Sequence, residues 1–361
     1  MDSLDPHTAP AYSIKEGHGW MAVFNPDAHR QMDVQLHKCH VHDRVVCSVK
    51  FSADGRFLAV GTNNAVILYD ISRDQKVTFP LGTEESDTAN HARSVAISPD
   101  NKFLVAGSED RVVRIWNTET YAYVNSLVGH RGEVYALAFT QDSRYLLSAS
   151  GDCTIRIWDA TQFQLETTVE LSCRILRSVG PDEKPSSKMV FISLSVDSLS
   201  SFAAAGSLDG IIRVWDIRPG SEREQPVGVL VGHADGVYGV QFLPSYTADE
   251  AIILVSASLD RTLKRWEIMV DEKQFLCKKT LTGHKDCILA TSVLQIGREQ
   301  RVASASRDGT VRLWDLKTGM PYFMIQGHTN TVTSVDLCSD GSLMASGSGD
   351  REVRVWKYTL Q

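Results

Sequence analysis

The chain has 361 residues, a formal net charge of −7 and an isoelectric point near 5.9. This acidic balance argues against binding dominated by the nucleic-acid backbone, which needs clustered lysine and arginine. No run of about 18 apolar residues occurs, so we expect no membrane span. The seven cysteines are odd in number and lack C-x-x-C spacing, which indicates reduced, mostly structural thiols in an intracellular protein and no zinc site.

The N-terminal region differs in composition from the rest of the chain. Residues 1–18 are polar and contain Pro6 and Pro10, so we predict a loose segment. They lack the basic start and the apolar core of a secretory signal. We divide the chain into an N-terminal extension, residues 1–30, and one repeat domain, residues 31–361.

A repeated unit of about 40–45 residues fills that domain. Residues 127–159 contain three short runs of alternating apolar residues separated by turn signals, which predicts consecutive antiparallel strands. The unit opens with Gly129-His130 and closes with Trp158-Asp159. The closing aromatic recurs seven times, at Tyr69, Trp116, Trp158, Trp215, Trp266, Trp314 and Trp356. Gly-His and Trp-Asp marks at this period resemble WD40 blades, so we predict an all-β, seven-bladed propeller with four-stranded antiparallel blades.

Histidine and serine occur together in four of the units. Each unit with His after Gly also has Ser four residues before its turn Asp, whereas units two and four lack the His and have Ala106 and Ala205. Because buried polar groups need partners, this correlation predicts a chain of hydrogen bonds that links Asp with His, His with Ser, and Ser with the indole N–H of Trp. The WD40 family has such tetrads, and by resemblance they are His130/Ser148/Asp152/Trp158, His233/Ser256/Asp260/Trp266, His284/Ser304/Asp308/Trp314 and His328/Ser346/Asp350/Trp356.

Ser, His and Asp also form catalytic triads, but catalysis requires one specially shaped site. Four regularly spaced copies indicate a scaffold instead. The sequence contains no phosphate-binding loop, no H-E-x-x-H and no dinucleotide-binding glycine pattern. We therefore predict no catalytic residue, no cofactor and no metal site. An enzyme using the central channel would need inward-pointing acids that interrupt the repeat, and we find none.

Closure of the ring can be predicted from where the last unit ends. Only five residues come after Trp356, which is too short for a turn and a fourth strand. Residues 32–37 lie directly before the first unit, in the place of an outer strand. Because open sheet edges are a liability, we predict that they become the outer strand of blade seven and close the ring non-covalently.

The segment that precedes the first blade carries a more specific resemblance. It contains Phe24-Asn25-Pro26, Arg30, Asp33-Val34 and Leu36-His37-Lys38. With Arg354–Tyr358 at the other end, it resembles the C-terminal propeller of the fungal Tup-type general transcriptional co-repressors, which are functionally akin to Groucho-type co-repressors. That family also has an N-terminal helical tetramerisation segment, and we see no counterpart upstream of residue 20.

The resemblance implies a non-enzymatic scaffold for protein–protein interaction that docks DNA-bound repressors and histone tails and pairs with a TPR-type co-repressor subunit. It implies a nuclear location. Composition alone indicates only an intracellular protein, which without the resemblance we would place in the cytoplasm. The resemblance implies no direct sequence-specific contact with nucleic acid. The alternative is a WD40 substrate receptor or structural subunit of another complex, in ubiquitin ligation or RNA processing, where a helical adaptor upstream would be expected.

Six residues are predicted to bind partners on the face that carries the Gly-His connections. Tyr135 and Asn330 match places in the co-repressor family's repressor-binding face. The others beside these turns are Glu133, Tyr238, Leu259 and Arg307. Exposed aromatic and arginine side chains are typical interface hot spots. The alternatives are packing between blades for the two tyrosines and a local backbone contact for Asn330.

Three departures from the repeat give further expectations. The insertion at 171–188 is predicted to be a surface loop, and blade five carries a second insertion at 244–250. Blade four lacks both the His and the inner Ser and should be among the least rigid. In blade five, Arg265 replaces an apolar residue before Trp, so it must find an acid or reach an edge.

Overall fold

The structure, a computed structural model, describes residues 4–28, 32–82, 90–163, 169–170, 189–221, 225–244 and 251–360. These residues form seven antiparallel sheets arranged as the blades of a ring. Helical structure among them is limited to one 3-10 turn, η1 (Ala11–Ser13). None of the described helices is long and apolar enough to cross a membrane. The predicted all-β, seven-bladed architecture is confirmed.

The strands are numbered in chain order and given from the channel outward. Blades one to three consist of β4 (Val46–Phe51), β5 (Phe57–Thr62), β6 (Ala65–Asp70), β7 (Gln75–Pro80); β8 (Ala92–Ile97), β9 (Phe103–Ser108), β10 (Val112–Asn117), β11 (Tyr123–Val128); and β12 (Val134–Phe139), β13 (Tyr145–Ser150), β14 (Ile155–Asp159), β15 (Val169–Glu170). Blades four and five consist of β16 (Phe191–Val196), β17 (Phe202–Ser207), β18 (Ile212–Asp216), β19 (Gly228–Leu230); and β20 (Val237–Phe242), β21 (Ile252–Ser258), β22 (Thr262–Met269), β23 (Gln274–Thr282). Blades six and seven consist of β24 (Ile288–Ile296), β25 (Glu299–Ser306), β26 (Thr310–Asp315), β27 (Pro321–Gln326); and β28 (Val332–Leu337), β29 (Leu343–Ser348), β30 (Glu352–Leu360), β3 (Met32–Val41).

Burial explains why the strands differ in composition along each blade. The second strand lies between neighbouring blades and is buried on both faces, as in β5 and β17, where every residue is buried. The outer strands face solvent on one side and mix polar with apolar residues, as in β7. The apolar core is therefore divided into clusters between adjacent blades, which is expected when each sheet buries its faces against its neighbours.

A β-bulge recurs at the start of all seven inner strands. In blade three the register shifts between Val134 and Ala136, so Tyr135 has no direct partner on β13. The same shift occurs in β4, β8, β16, β20, β24 and β28. A bulge re-aims the side chain of the extra residue. Each inner strand therefore carries one extra residue where it begins, at the end of the ring that we call the mouth of the channel.

Strand β3 closes the ring as predicted. It pairs antiparallel with β30, with Val34 opposite Tyr358 and Leu36 opposite Trp356. It runs to Val41 and is thus longer than the predicted segment at 32–37. Closure gives the C-terminal strand an outer neighbour and leaves blade seven with four strands.

The prediction that residues 1–18 are loose is wrong for the described residues of that segment. β1 (Ile14–Gly17) and β2 (Trp20–Phe24) form a hairpin, and β2 pairs with β27, so the sheet of blade six has six strands. Buried Leu4 and Val23 pack with Met324. The polar sequence of β1 did not indicate a strand, because Ile14 is its only residue that packs against this cluster and β1 is otherwise paired through its main chain to β2.

Hydrogen bonds between inner strands tie the blades together near the closure. Asp336 on β28 is 3% exposed. Its carboxylate accepts from Lys50 Nζ at 2.9 Å and from the Phe51 backbone N–H at 2.8 Å, both on β4. It also accepts from Ser292 Oγ on β24 at 2.9 Å. One buried carboxylate therefore links blades six, seven and one.

The remaining expectations have mixed outcomes. Arg265 pairs with Glu267, with 2.7 Å between Nη1 and Oε1, which fulfils the expectation that it finds an acid. The six described cysteines are free, and Cys173 lies outside the described residues. The insertions at 171–188 and 245–250 also lie outside them. The low rigidity of blade four stays a prediction.

Candidate partner-binding face

The four predicted tetrads are hydrogen-bonded in the structure. In blade three, His130 Nδ1 lies 2.9 Å from Asp152 Oδ2, its Nε2 lies 2.7 Å from Ser148 Oγ, and Trp158 Nε1 donates to Ser148 Oγ at 2.8 Å. The equivalent contacts in the other three tetrads measure between 2.7 and 2.9 Å, and they join His233, Ser256, Asp260 and Trp266; His284, Ser304, Asp308 and Trp314; and His328, Ser346, Asp350 and Trp356.

The tetrad serines differ from the predicted partner-binding residues in their burial. All four have no exposed surface: Ser148, Ser256, Ser304 and Ser346. Each hydroxyl contacts a histidine ring and an indole N–H at once, so its hydrogen-bonding capacity is used inside the blade. A fully buried side chain cannot contact a partner, and a satisfied polar network of this kind fixes one packing arrangement. These serines therefore belong to the scaffold and lie beneath the binding face.

A threonine extends three of these tetrads, which the sequence analysis did not predict. Thr154 Oγ1 donates to Asp152 Oδ1 at 2.6 Å, and Thr262 and Thr310 make the same contact. The detectable signal is Thr two residues after the turn Asp. In blade seven Glu352 occupies that place and accepts from Arg354 Nε at 2.8 Å. These bonds account for the cluster of His328, Asp350 and Glu352 as part of the tetrad.

The tetrad aspartates are stabilised as carboxylates. Burial alone would raise the pKa of Asp152, but hydrogen bonds from His130, Thr154 and the Arg131 backbone outweigh it and hold that pKa well below its usual range. The pKa values of Asp260 and Asp308 are lowered in the same way, and that of Asp350 is lowered to about 2.

Acid is therefore expected to weaken the folded state through these groups. A carboxyl whose folded-state pKa lies below its unfolded value stabilises the protein fully above the unfolded pKa and loses that contribution as pH falls toward the folded one. In urea unfolding at several pH values, the stability difference between the wild type and Asp152→Asn should shrink as pH drops below about 5. A difference that stays constant down to the acid limit of folding would reject this linkage.

In blades two and four, which lack the tetrad histidine, an arginine contacts the turn aspartate in its place. Arg213 Nη2 lies 2.8 Å from Asp209 Oδ2 in blade four, and Arg114 makes the equivalent contact with Asp110 in blade two. Where the His is present, the arginine two residues before Trp lies over the indole ring instead, at 5.8 to 6.0 Å from the ring centroid in blades three, six and seven. This basic series therefore packs within the blades.

The predicted Tyr135 and Tyr238 lie at two of the seven bulges and are half-buried. Burial raises the pKa of both tyrosines, with Glu133 adding to the effect at Tyr135. Arg93, at the bulge of blade two, lowers the pKa of each tyrosine, so its guanidinium lies near both rings at the channel mouth. Arg93 was not among the partner-binding residues predicted from the sequence, although it comes directly after the first residue of its inner strand as Tyr135 does.

Arg93 belongs to a small charged cluster. It donates to Glu109, and His91 Nδ1 lies 2.6 Å from the other carboxylate oxygen of Glu109. Burial by itself would raise the pKa of Glu109, but His91 and Arg93 lower it. The mouth of the channel thus combines two tyrosine rings with a paired, exposed arginine, which is a composition typical of interface hot spots.

Glycines bring the predicted residues close to the turns. A Cβ at Gly151 would lie 3.0 Å from Glu133 Oε2 and 3.2 Å from Tyr135 Cε2, so this glycine lets both side chains cross the turn. A Cβ at Gly236 would lie 3.5 Å from Leu259 Cδ1 and 3.2 Å from Leu208. Leu208 and Leu259, both half-buried, therefore approach the same glycine from blades four and five, and we call this pair the apolar patch.

Asn330 and Arg307 lie together at the junction of blades six and seven. Asn330 is exposed, and its Oδ1 accepts from the Thr331 backbone at 2.7 Å, which is the local contact considered as the alternative for this residue. Arg307 is exposed, with its Nε 3.4 Å from Asp286 Oδ2. Both line one groove of about 790 Å³. The six predicted residues thus fall into a tyrosine-rich mouth, an apolar patch and this groove.

A ring of seven antiparallel blades, four of which contain these tetrads, defines a WD40 β-propeller. The family model for the WD domain, G-beta repeat, matches seven segments, residues 33–70, 82–117, 122–159, 186–216, 224–267, 275–315 and 319–357. The chain belongs to this family.

Two fungal proteins match nearly the whole chain. The general transcriptional corepressor TUP1 of Saccharomyces cerevisiae is 32% identical over 98% of this chain, and the transcriptional repressor rco-1 of Neurospora crassa is 35% identical over 99% of it. The chain covers 56% and 58% of these relatives' own lengths. The corepressor tupA of Dictyostelium discoideum is 34% identical over a shorter stretch, 34% of this chain. A WD40 fold with such relatives supports protein–protein interaction in general.

Proposed function

We propose that this propeller is the partner-binding part of a nuclear transcriptional corepressor and acts without catalysis. The observation that carries the proposal is similarity to the two fungal regulators over 98% and 99% of the chain, which includes the segment before the first blade. The generic repeat alone would match many WD40 proteins over part of the ring. The substrate-receptor alternative has no comparable support.

DNA-bound repressors are the proposed partners at the channel mouth. Tyr135 and Tyr238 offer large rigid surfaces there, and the exposed Glu133 and Asp235 favour a segment that carries positive charge. The same carboxylates make basic histone tails suitable partners. A TPR-type subunit is the third proposed partner. No sequence-specific contact with nucleic acid is part of the proposal.

Tyr135→Ala and Asn330→Ala are each expected to reduce repressor binding at least about ten-fold, because truncating a hot-spot residue commonly costs more than 1–2 kcal/mol. The measurement is quantitative pull-down of nuclear repressors with the full chain, scored by mass spectrometry. Glu119→Ala is the matched control, since Glu119 is exposed in the turn between β10 and β11, at the other end of its blade from the Gly-His face. If both variants melt cooperatively and recover the same repressors as the wild type, this face is not the binding site.

A further inference from the structure

The N-terminal hairpin bridges two blades. Its strands extend blade six, but its tip is fixed to blade seven. Trp20 meets Trp356 edge-on, with 5.6 Å between ring centroids, and Arg354 Nη1 donates to the Gly19 carbonyl at 3.0 Å. A Cβ at Gly327 would lie 3.0 Å from Trp20, so the glycine permits this close approach. The tip is thus an anchored element whose residues Glu16 to Gly19 are nonetheless exposed.

The groove beside this tip has mixed walls. The hairpin side presents Glu16, Trp20 and Met21, and the blade side presents Arg307, Gln326 and Asn330. Its volume of about 790 Å³ falls within the usual range for binding sites, but it is polar and open to solvent along the rim. Such a shape suits an extended peptide better than a small molecule, which needs enclosure. Amide side chains on the blade wall can pair with peptide groups.

The charges in the groove distinguish among peptides. Asp308 is committed, because one oxygen lies 2.8 Å from His284 and the other accepts from Thr310. Arg307 already has Asp286 beside it. Glu16 makes no ion pair or side-chain hydrogen bond with any other described residue. Among the described charges that line the groove, the exposed one without an ion-pair partner is therefore negative.

We propose that this groove binds an extended segment of a partner protein, with a lysine or arginine against Glu16 and an apolar side chain against Trp20 and Met21. The inference rests on the proposed function in that it assigns the same partners a second contact beyond the channel mouth. It also gives the hairpin a recognition role. The exposed amide of Asn330 would then belong to the groove as well as to the rim.

The test uses defined probes. A phage-displayed library of random 12-residue peptides, which reach about 40 Å when fully extended, is selected on the full chain. Selected peptides are labelled with fluorescein and titrated by fluorescence polarisation. Peptides with a basic and an apolar residue should be enriched, and Glu16→Lys should weaken them about five-fold or more. Exchanging their basic residue for glutamate should restore binding to that variant. Glu119→Lys, with the same charge change on a distant turn, should bind like the wild type.

The outcomes separate this inference from the proposed function. Peptides that lose affinity with Tyr135→Ala but not with Glu16→Lys overturn the groove and leave the channel mouth in place. Failure to select any peptide, or selection of acidic peptides that depend on Arg307, also overturns it. The proposed function is tested separately, by the pull-down of nuclear repressors. It is supported if the wild type recovers them and Tyr135→Ala does not. The circular dichroism spectrum of Glu16→Lys should match the wild type, because Glu16 is exposed.

Discussion

Asp336→Ala is expected to lower the free energy of unfolding by about 3 kcal/mol, because it removes the shared acceptor of three donors at once. The Phe51 N–H and Ser292 Oγ are buried, so the loss leaves polar groups without a partner inside the protein. Lys50 is 40% exposed and can be hydrated, so its ion pair adds little to the cost. Chemical denaturation measures the effect.

Asp336→Asn provides the comparison. The amide oxygen can still accept from the Phe51 backbone, so this variant should lose clearly less stability than the alanine. The location also matters, because the three donors come from blades on both sides of the closure. If alanine and asparagine destabilise equally, or neither does, the carboxylate does not tie the three blades together.

The repeat-level features were predictable because they recur. The co-occurrence of His with Ser pointed to a contact, and His130 and Ser148 are indeed bonded at 2.7 Å. The ring closure could be deduced from a strand count, since Trp356 lacked an outer neighbour and residues 32–37 had no other place. Both inferences come from comparing the seven copies of the repeat within this chain. Features shared by several copies stand out from the side chains that are particular to one blade.

Features that occur once were not predictable in this way. The hairpin at residues 14–24 is stabilised by pairing with β27, which is about 300 residues away in sequence, and β1 has no apolar alternation to reveal it. Arg93 acts on tyrosines contributed by other blades, so only the closed ring brings them together. The role of Arg213 in blade four becomes visible only in the structure, where it contacts Asp209 in a blade that lacks the tetrad histidine.

The residues that stabilise the ring differ from those that are predicted to bind partners. Side chains that repeat from blade to blade, such as His130 and Trp158, are buried and hydrogen-bonded within the scaffold. Those that differ at the same place lie at the bulges and turns, where Tyr135 and Arg93 occupy equivalent positions. Tyr135, Arg93 and Thr333 all occupy this position, so the side chain differs between blades while the bulge is kept. Specificity for a partner can thus change while the fold of the blades stays the same.

Asp152→Ala is expected to destabilise the protein by on the order of 1–3 kcal/mol, because the buried His130 ring loses a hydrogen-bond partner and the more exposed Arg131 backbone N–H loses its acceptor. Equilibrium unfolding followed by tryptophan fluorescence suits the measurement, since Trp158 belongs to the same network. Asp271→Ala is the control, because Asp271 is an exposed turn residue between β22 and β23. A melting temperature for Asp152→Ala equal to that of the control would show that the tetrad does not stabilise its blade. A loss confined to Asp152→Ala would establish the repeated polar network as the scaffold on which the partner-binding face is built.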